Sequence, residues 1–188
     1  MQRLQYLDAV QLRAGELRAN TNIATVMHEV AHQLSFNCGL LDRKGDLPMW
    51  LCEGLACYCE STSNSAWQGV GEPNPDRLST LGEVIHGQGT LLDLKDLVES
   101  DRWLRERRDE RSVLLGYSQS WALFRLLMEQ APANLKDYLA LIYGRQNHER
   151  RLADFEQCFG SLPSMQRRYQ AYIEQLVQQY LPAAPPGR

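Results

Sequence analysis

The chain has 188 residues, 44% hydrophobic and 23% charged, with a formal net charge of -3. That length fits one domain with a proper core, and the balance excludes disordered, collagen-like and membrane-spanning classes. The small negative charge carries no polyanion-binding signature, and in RWLRERRDER the bases alternate with acids as on a solvated surface, so no nucleic-acid partner is expected.

No apolar run approaches the length of a bilayer span, and the opening MQRLQYLDAV lacks the regions of a signal peptide; membrane insertion of this domain is not expected. Near the front, YLDAVQL reads as a short strand, with no other convincing one after it. From Thr21 onward, Ile23, Val26, Met27, Val30, Ala31 and Leu34 recur at helical spacing. Asn20, Thr21 and Asn22 offer N-cap chemistry for that helix, and Asn37 with Gly39 offers a stop. LLDRKGDLP is a polar loop ending at Pro48, and proline suits the first turn of a second helix running to about Glu60.

Residues 61–90 are rich in Ser, Gly, Asn and Pro and read as a long surface excursion. Helical periodicity returns in LLDLKDLVES, VLLGYSQSWALFRLLMEQ, NLKDYLALIYGR, RLADFEQCF and SMQRRYQAYIEQLVQQYL. The expectation is a mainly α single domain over residues 1–182, with a disordered tail at 183–188. Cys38, Cys52, Cys57, Cys59 and Cys158 lack zinc-ribbon spacing and read as small buried thiols.

Residues 28–32 read HEVAH. At 100° per residue, His28, Glu29 and His32 project from the side opposite the apolar stripe, which is expected to face the core. Side chains four apart on a helix are about 5–6 Å from each other, so both imidazoles reach one small cation. A catalytic zinc takes three protein ligands and keeps one position open. Glu53 is the candidate third ligand, because a carboxylate buried against two histidines is costly without a cation. On the second helix Trp50, Glu53, Cys57 and Glu60 share a face. Trp50 is expected to wall the metal pocket, and Gly54 and Ala56 leave room for another backbone. Glu60 is placed to hydrogen-bond a histidine from behind, the alternative being a surface glutamate at a helix end.

HEVAHQLSFNCGL followed by PMWLCEGLACYCES resembles the gluzincin metallopeptidases, which combine HExxH with a distant glutamate. Within them it is similar to the peptidase MA-like branch known as domain of unknown function 1570, and GYSQSWALFRLLM and FEQCFGSLPSMQRRYQAYI look like the same branch. The resemblance implies a zincin-like helical domain with at most a short remnant of an N-terminal β-sheet. It also implies one Zn²⁺ held by His28, His32 and Glu53, with Glu29 as the catalytic carboxylate and Tyr117 as a helix-borne tyrosine beside the metal.

The sheet that binds extended substrate in gluzincins has little room before HEVAH; either YLDAVQL is its remnant or it lies outside this chain. The implied activity is hydrolysis of a peptide bond in a peptide or protein substrate. Glu29 would act as general base, and Tyr117 would steady the oxyanion, a task open also to His86 or His148. The alternatives are a non-catalytic, zinc-stabilised binding or scaffold domain, and a helical domain with no metal at all. An extracytoplasmic location follows from the resemblance alone, and no oligomeric state follows from it.

Overall fold

The computed structural model describes residues 2–87, 89–106 and 109–181, with side chains from residue 18 onward. The expected tail at 183–188 lies outside the described residues. Helix α1 spans Gln2–Asn37, so YLDAVQL is helical and the expected strand is corrected. The run AVQLRAGELRA is dense in strong helix formers, and these carry the helix back past Asn20–Asn22, where a cap was expected. Those residues are used differently. The Thr25 hydroxyl donates to the Thr21 carbonyl one turn back, at 2.9 Å, and the Asn20 amide oxygen accepts from the Ser65 N–H at 2.7 Å. Gly39, at φ +75°, ends the segment in a left-handed turn, as the sequence predicts.

Helix α2 covers Met49–Tyr58 and stops short of Glu60. Strands β1 (Thr62–Ser63) and β2 (Ala66–Trp67) then pair antiparallel, Thr62 opposite Trp67. The turn between them, Asn64–Ser65, has φ of 50° and 58°, the left-handed pair that a twisted two-residue hairpin needs. Helix α3 (Pro75–Ile85) follows, with Asn74 capping it through Arg77 N–H and proline in its first turn. Its Leu78 and Leu81 are buried, so the expected 61–90 surface excursion is in its second half part of the core.

Beyond it come α4 (Leu94–Glu99), α5 (Arg102–Arg105), α6 (Glu110–Gln130), α7 (Pro132–Ile142), α8 (Arg151–Phe159) and α9 (Leu162–Tyr180). The molecule is mainly α-helical, as expected. Helix α6 lies at its centre, with Trp121, Leu123, Leu126 and Leu127 fully buried. Helix α2 packs against α6 at very short range because Gly54 has no side chain. A Cβ there would stand 2.5 Å from the Ser120 carbonyl oxygen and 3.0 Å from Phe124 Cβ. Trp50 is wholly buried and stacks on Tyr138, ring centres 5.8 Å apart, with Phe155 edge-on at 5.9 Å. It belongs to the α7–α8 side of the core, which corrects its expected place as a wall of the metal pocket.

The expected orientation of α1 is also corrected. Of the apolar stripe, Val26, Val30 and Leu34 are 59%, 38% and 62% exposed and only Ala31 is buried, with Ile23 and Met27 half-buried, while the side that carries His28 and His32 faces α2. Which face a helix buries is set by what its neighbour presents, and α2 presents a carboxylate and a thiol whose polar atoms need partners. The cysteines divide as well: Cys52 and Cys57 are buried, Cys59 and Cys158 half-buried and Cys38 exposed, so the buried-thiol expectation holds for two of them.

Candidate metal centre

Helix α1 supplies His28 and His32, one turn apart, and α2 supplies Glu53 from its buried side. The two Nε2 atoms are 3.0 Å apart, and Glu53 Oε2 lies 3.2 Å from that of His28 and 3.5 Å from that of His32. Tetrahedral ligands at about 2.0–2.1 Å from one ion stand about 3.3–3.4 Å from each other. The triangle therefore has the size that a small divalent ion requires. Glu53 Oε2 is buried and lacks a hydrogen-bond partner, the orphaned polar atom that a cation would satisfy.

The far sides of both imidazoles are also occupied. His28 Nδ1 lies 2.7 Å from Glu60 Oε1, so an N–H there donates to that carboxylate and leaves Nε2, on the Glu53 side, as the nitrogen that can ligate once it is deprotonated. His32 Nδ1 faces the Cys52 sulfur at 3.5 Å. Glu60, just past the end of α2, is held in turn. Arg77 of α3 donates to Oε1 through Nη2 at 2.8 Å and to Oε2 through Nε at 3.0 Å, and Asn74 donates to Oε2 at 2.9 Å. Glu60 is thus the histidine partner rather than the surface glutamate.

Three lone-pair donors aimed at one point must be neutralised by a cation or by protons. In the metal-free protein the protons do it. Burial disfavours the His28 imidazolium, but the Glu53 and Glu60 carboxylates beside it outweigh that and raise its pKa to about 9. His32 is raised to about 9 by its contact with Cys52 and then by Glu53, against burial. Burial likewise works against the Glu53 carboxylate, yet His28 and His32 bring it down to about 2. Glu60 falls to about 2 because His28 and Arg77 overcome its burial.

Glu29 sits on the exposed side of α1 beside the histidines, and among the described residues it shows no hydrogen bond or ion pair. Tyr117 of α6 is brought to the cluster. Its ring centre is 6.2 Å from that of His28, the Arg77 guanidinium carbon lies 5.4 Å from its centroid, and Trp103 packs edge-on at 5.6 Å. Trp103 seats over Gly116, where any Cβ would run into the indole. His86 and His148 are exposed, at the end of α3 and in a 3-10 turn at His148–Arg150, and show no contact with the cluster among the described residues.

A second group, His28, Cys57 and Glu60, also has the donor atoms of a metal site. Cys57 is wholly buried, and burial, joined by Glu60, keeps its thiol pKa high. Sequence reasoning missed Arg77, Asn74 and the Cys52 contact. The Asn-Pro-Asp start of α3 was a usable helix signal, but nothing local marks Arg77 as the partner of a residue seventeen positions earlier.

A mainly helical domain in which two histidines and a glutamate from neighbouring helices meet within the reach of one ion is a candidate metal-binding protein. Residues 22–147 match the family described as "Protein of unknown function (DUF1570)", and the chain belongs to that family. The matched segment contains the histidines, Glu53, Glu60, Arg77 and Tyr117. No curated protein and no solved structure shows significant similarity to the chain.

Proposed function

We propose that His28, His32 and Glu53 hold one zinc ion, that the domain is a zincin-like peptidase of the gluzincin type, and that it hydrolyses peptide bonds. The observation that carries this reading is the triangle of donor atoms at 3.0, 3.2 and 3.5 Å around a buried carboxylate oxygen with no other partner. Two nitrogens and one oxygen, with a fourth position left for water, is the donor set of a hydrolytic zinc centre. A bound zinc ion supplies a Lewis acid and a water of lowered pKa.

The chain's own groups supply the rest. Glu29, next to His28 but outside the triangle, accepts the proton of the attacking water and passes it to the leaving amine. Tyr117, across the cluster on α6, donates its hydroxyl to the oxygen of the scissile carbonyl as negative charge builds there. Glu60 and Cys52 orient the two imidazoles, and a held ligand does not have to reorganise during reaction.

A second reading, a zinc-stabilised domain without turnover, has one observation in its favour. From residue 18 onward, α1 buries only Ala31 and Ser35, so an ion shared with α2 would contribute much of its attachment. Elemental analysis and a peptide-library assay on the wild type and Glu29→Gln separate the two. The peptidase reading expects about one zinc per chain in both proteins and turnover lower by about 10²- to 10⁴-fold in the variant. Equal hydrolysis by both proteins removes Glu29 from the mechanism, and zinc without any cleavage in the wild type leaves the stabilising role.

A further inference from the structure

Two donor sets overlap at His28. One joins its Nε2 to His32 and Glu53; the other would join its Nδ1 to Glu60 and Cys57. A neutral imidazole offers a single lone pair, so only one set can use it. The second set contains a thiol, and a thiolate attracts zinc and softer ions strongly. The fold must therefore decide between them.

We propose that Arg77 makes this choice: by occupying both oxygens of Glu60 it keeps that carboxylate an acceptor for His28 Nδ1–H, and so directs a divalent ion to the Nε2 side. The inference rests on the metal reading above and deepens it, with Arg77 as a positioning residue.

The geometry is that of a planar, two-point guanidinium–carboxylate pair at 2.8 and 3.0 Å, with both side chains largely out of solvent. Such pairs are charge-assisted and directional, and arginine does not give up its proton in a protein. A carboxylate already neutralised in this way gains little from a further cation. An ion at His28 Nδ1 would also stand beside the guanidinium charge, and repulsion at that range in a partly buried site is strong. Asn74, donating to Oε2 at 2.9 Å, and the Tyr117 ring beneath Arg77 hold the pair in register. Without Arg77, Glu60 loses its cationic partner and stands with an imidazole and a thiol as three donors of the kinds that zinc takes.

The test titrates the metal-free chain with Co²⁺, because cobalt–thiolate bonds give a near-ultraviolet charge-transfer band that nitrogen and oxygen ligands do not. Wild type is expected to bind one ion without that band. Arg77→Met is expected to show it, to lose it again when Cys57→Ser is added, and to bind at the original site about 10- to 100-fold more weakly. A folded Arg77→Met protein with the wild-type spectrum and affinity overturns the proposal. Should Arg77→Met fail to fold, Cys57→Ser alone decides. Unchanged cobalt affinity and spectrum support the proposal, and loss of a charge-transfer band present in the wild type overturns it. A wild type that takes up no cobalt overturns the underlying metal reading instead, which distinguishes the two failures.

Discussion

His28 Nδ1 lies 2.7 Å from Glu60 Oε1, so the imidazole that reaches toward Glu53 is held from behind by a carboxylate on a different segment. The same carboxylate is pinned by Arg77 and Asn74 of the α3 start. A chain of contacts thus runs from α3 through Glu60 to the proposed ligand. Glu60→Gln keeps the shape but removes the charge that favours the Nδ1–H tautomer. Its zinc affinity is expected to fall about 10- to 100-fold, read by competition with a chromophoric chelator. An unchanged dissociation constant would show that the contact does not orient the ring.

The metal-free protein should show a particular pH profile. His28 and His32 have folded-state pKa values near 9, above the ordinary 6.5, so their contribution to stability is full below about pH 6.5 and is lost as pH rises through about 9. Glu53 and Glu60 lie near 2, below the ordinary 4.5; their contribution is full above about pH 4.5 and is lost as pH falls through about 2. Urea unfolding of the metal-free chain should therefore show its greatest cluster-dependent stability between about pH 4.5 and 6.5. The difference between wild type and His32→Ala should shrink toward pH 9. A difference that stays constant from pH 6.5 to 9 contradicts the assignment.

Zinc binding should release protons. The neighbouring carboxylates bias the imidazoles toward their protonated forms in the metal-free cluster, and both must be neutral at Nε2 to ligate, so affinity is expected to rise with pH up to about 9. Calorimetry in two buffers of different ionisation enthalpy counts those protons. Zero proton release at pH 7 would place the ion elsewhere.

Gly54 sets the separation of α2 and α6. A Cβ would meet the Ser120 carbonyl oxygen at 2.5 Å, and neither backbone can yield without moving Glu53 next door. Gly54→Ala is expected to cost about 1–3 kcal/mol. For a chain of this length that lowers the melting temperature by about 2–4 °C per kcal/mol. Weaker zinc binding should accompany the loss. Full stability in this variant would mean that the helices are not in such close contact.

Arg151 ties distant parts of the core. It donates to Asp46 Oδ1 at 2.6 Å and to Asp101 Oδ1 at 2.7 Å, and Asp101 also accepts the Met49 N–H at the first residue of α2. Arg151→Ala leaves buried Asp101 with only the Met49 N–H and the exposed Arg105 at 3.3 Å, so a loss of about 1.5–3 kcal/mol is expected in thermal or denaturant unfolding. A loss under about 1 kcal/mol would class the pair with ordinary surface salt bridges.

What could be read along the chain was whatever local spacing controls. HEVAH places two imidazoles one turn apart on any helix, and the apolar periods of α6, α7, α8 and α9 announce themselves in the same way. Gly54, flagged as a place for close approach, meets Ser120. Glu53, twenty-one residues after His32, was reachable by the cost of burying an unpaired carboxylate.

Other features depended on how elements meet in space. Val26, Val30 and Leu34 have the period of a core face, yet they are exposed, and the covered side of α1 runs through Ala31 and Ser35 beside His28 and His32, because α2 offers Glu53 and Cys52 there. Periodicity locates a face but does not say which neighbour will cover it. Arg77 and Asn74 come to Glu60 only because α3 folds back beside the end of α2, and Trp50 joins Tyr138 and Phe155 through helices far along the chain. The sequence alone therefore determined the helices and the paired histidines, which rest on torsions and contacts within a turn or two. The tertiary structure decided the buried side of α1, the carboxylates facing its histidines and the arginine holding one of them, because those contacts join residues that local spacing does not relate.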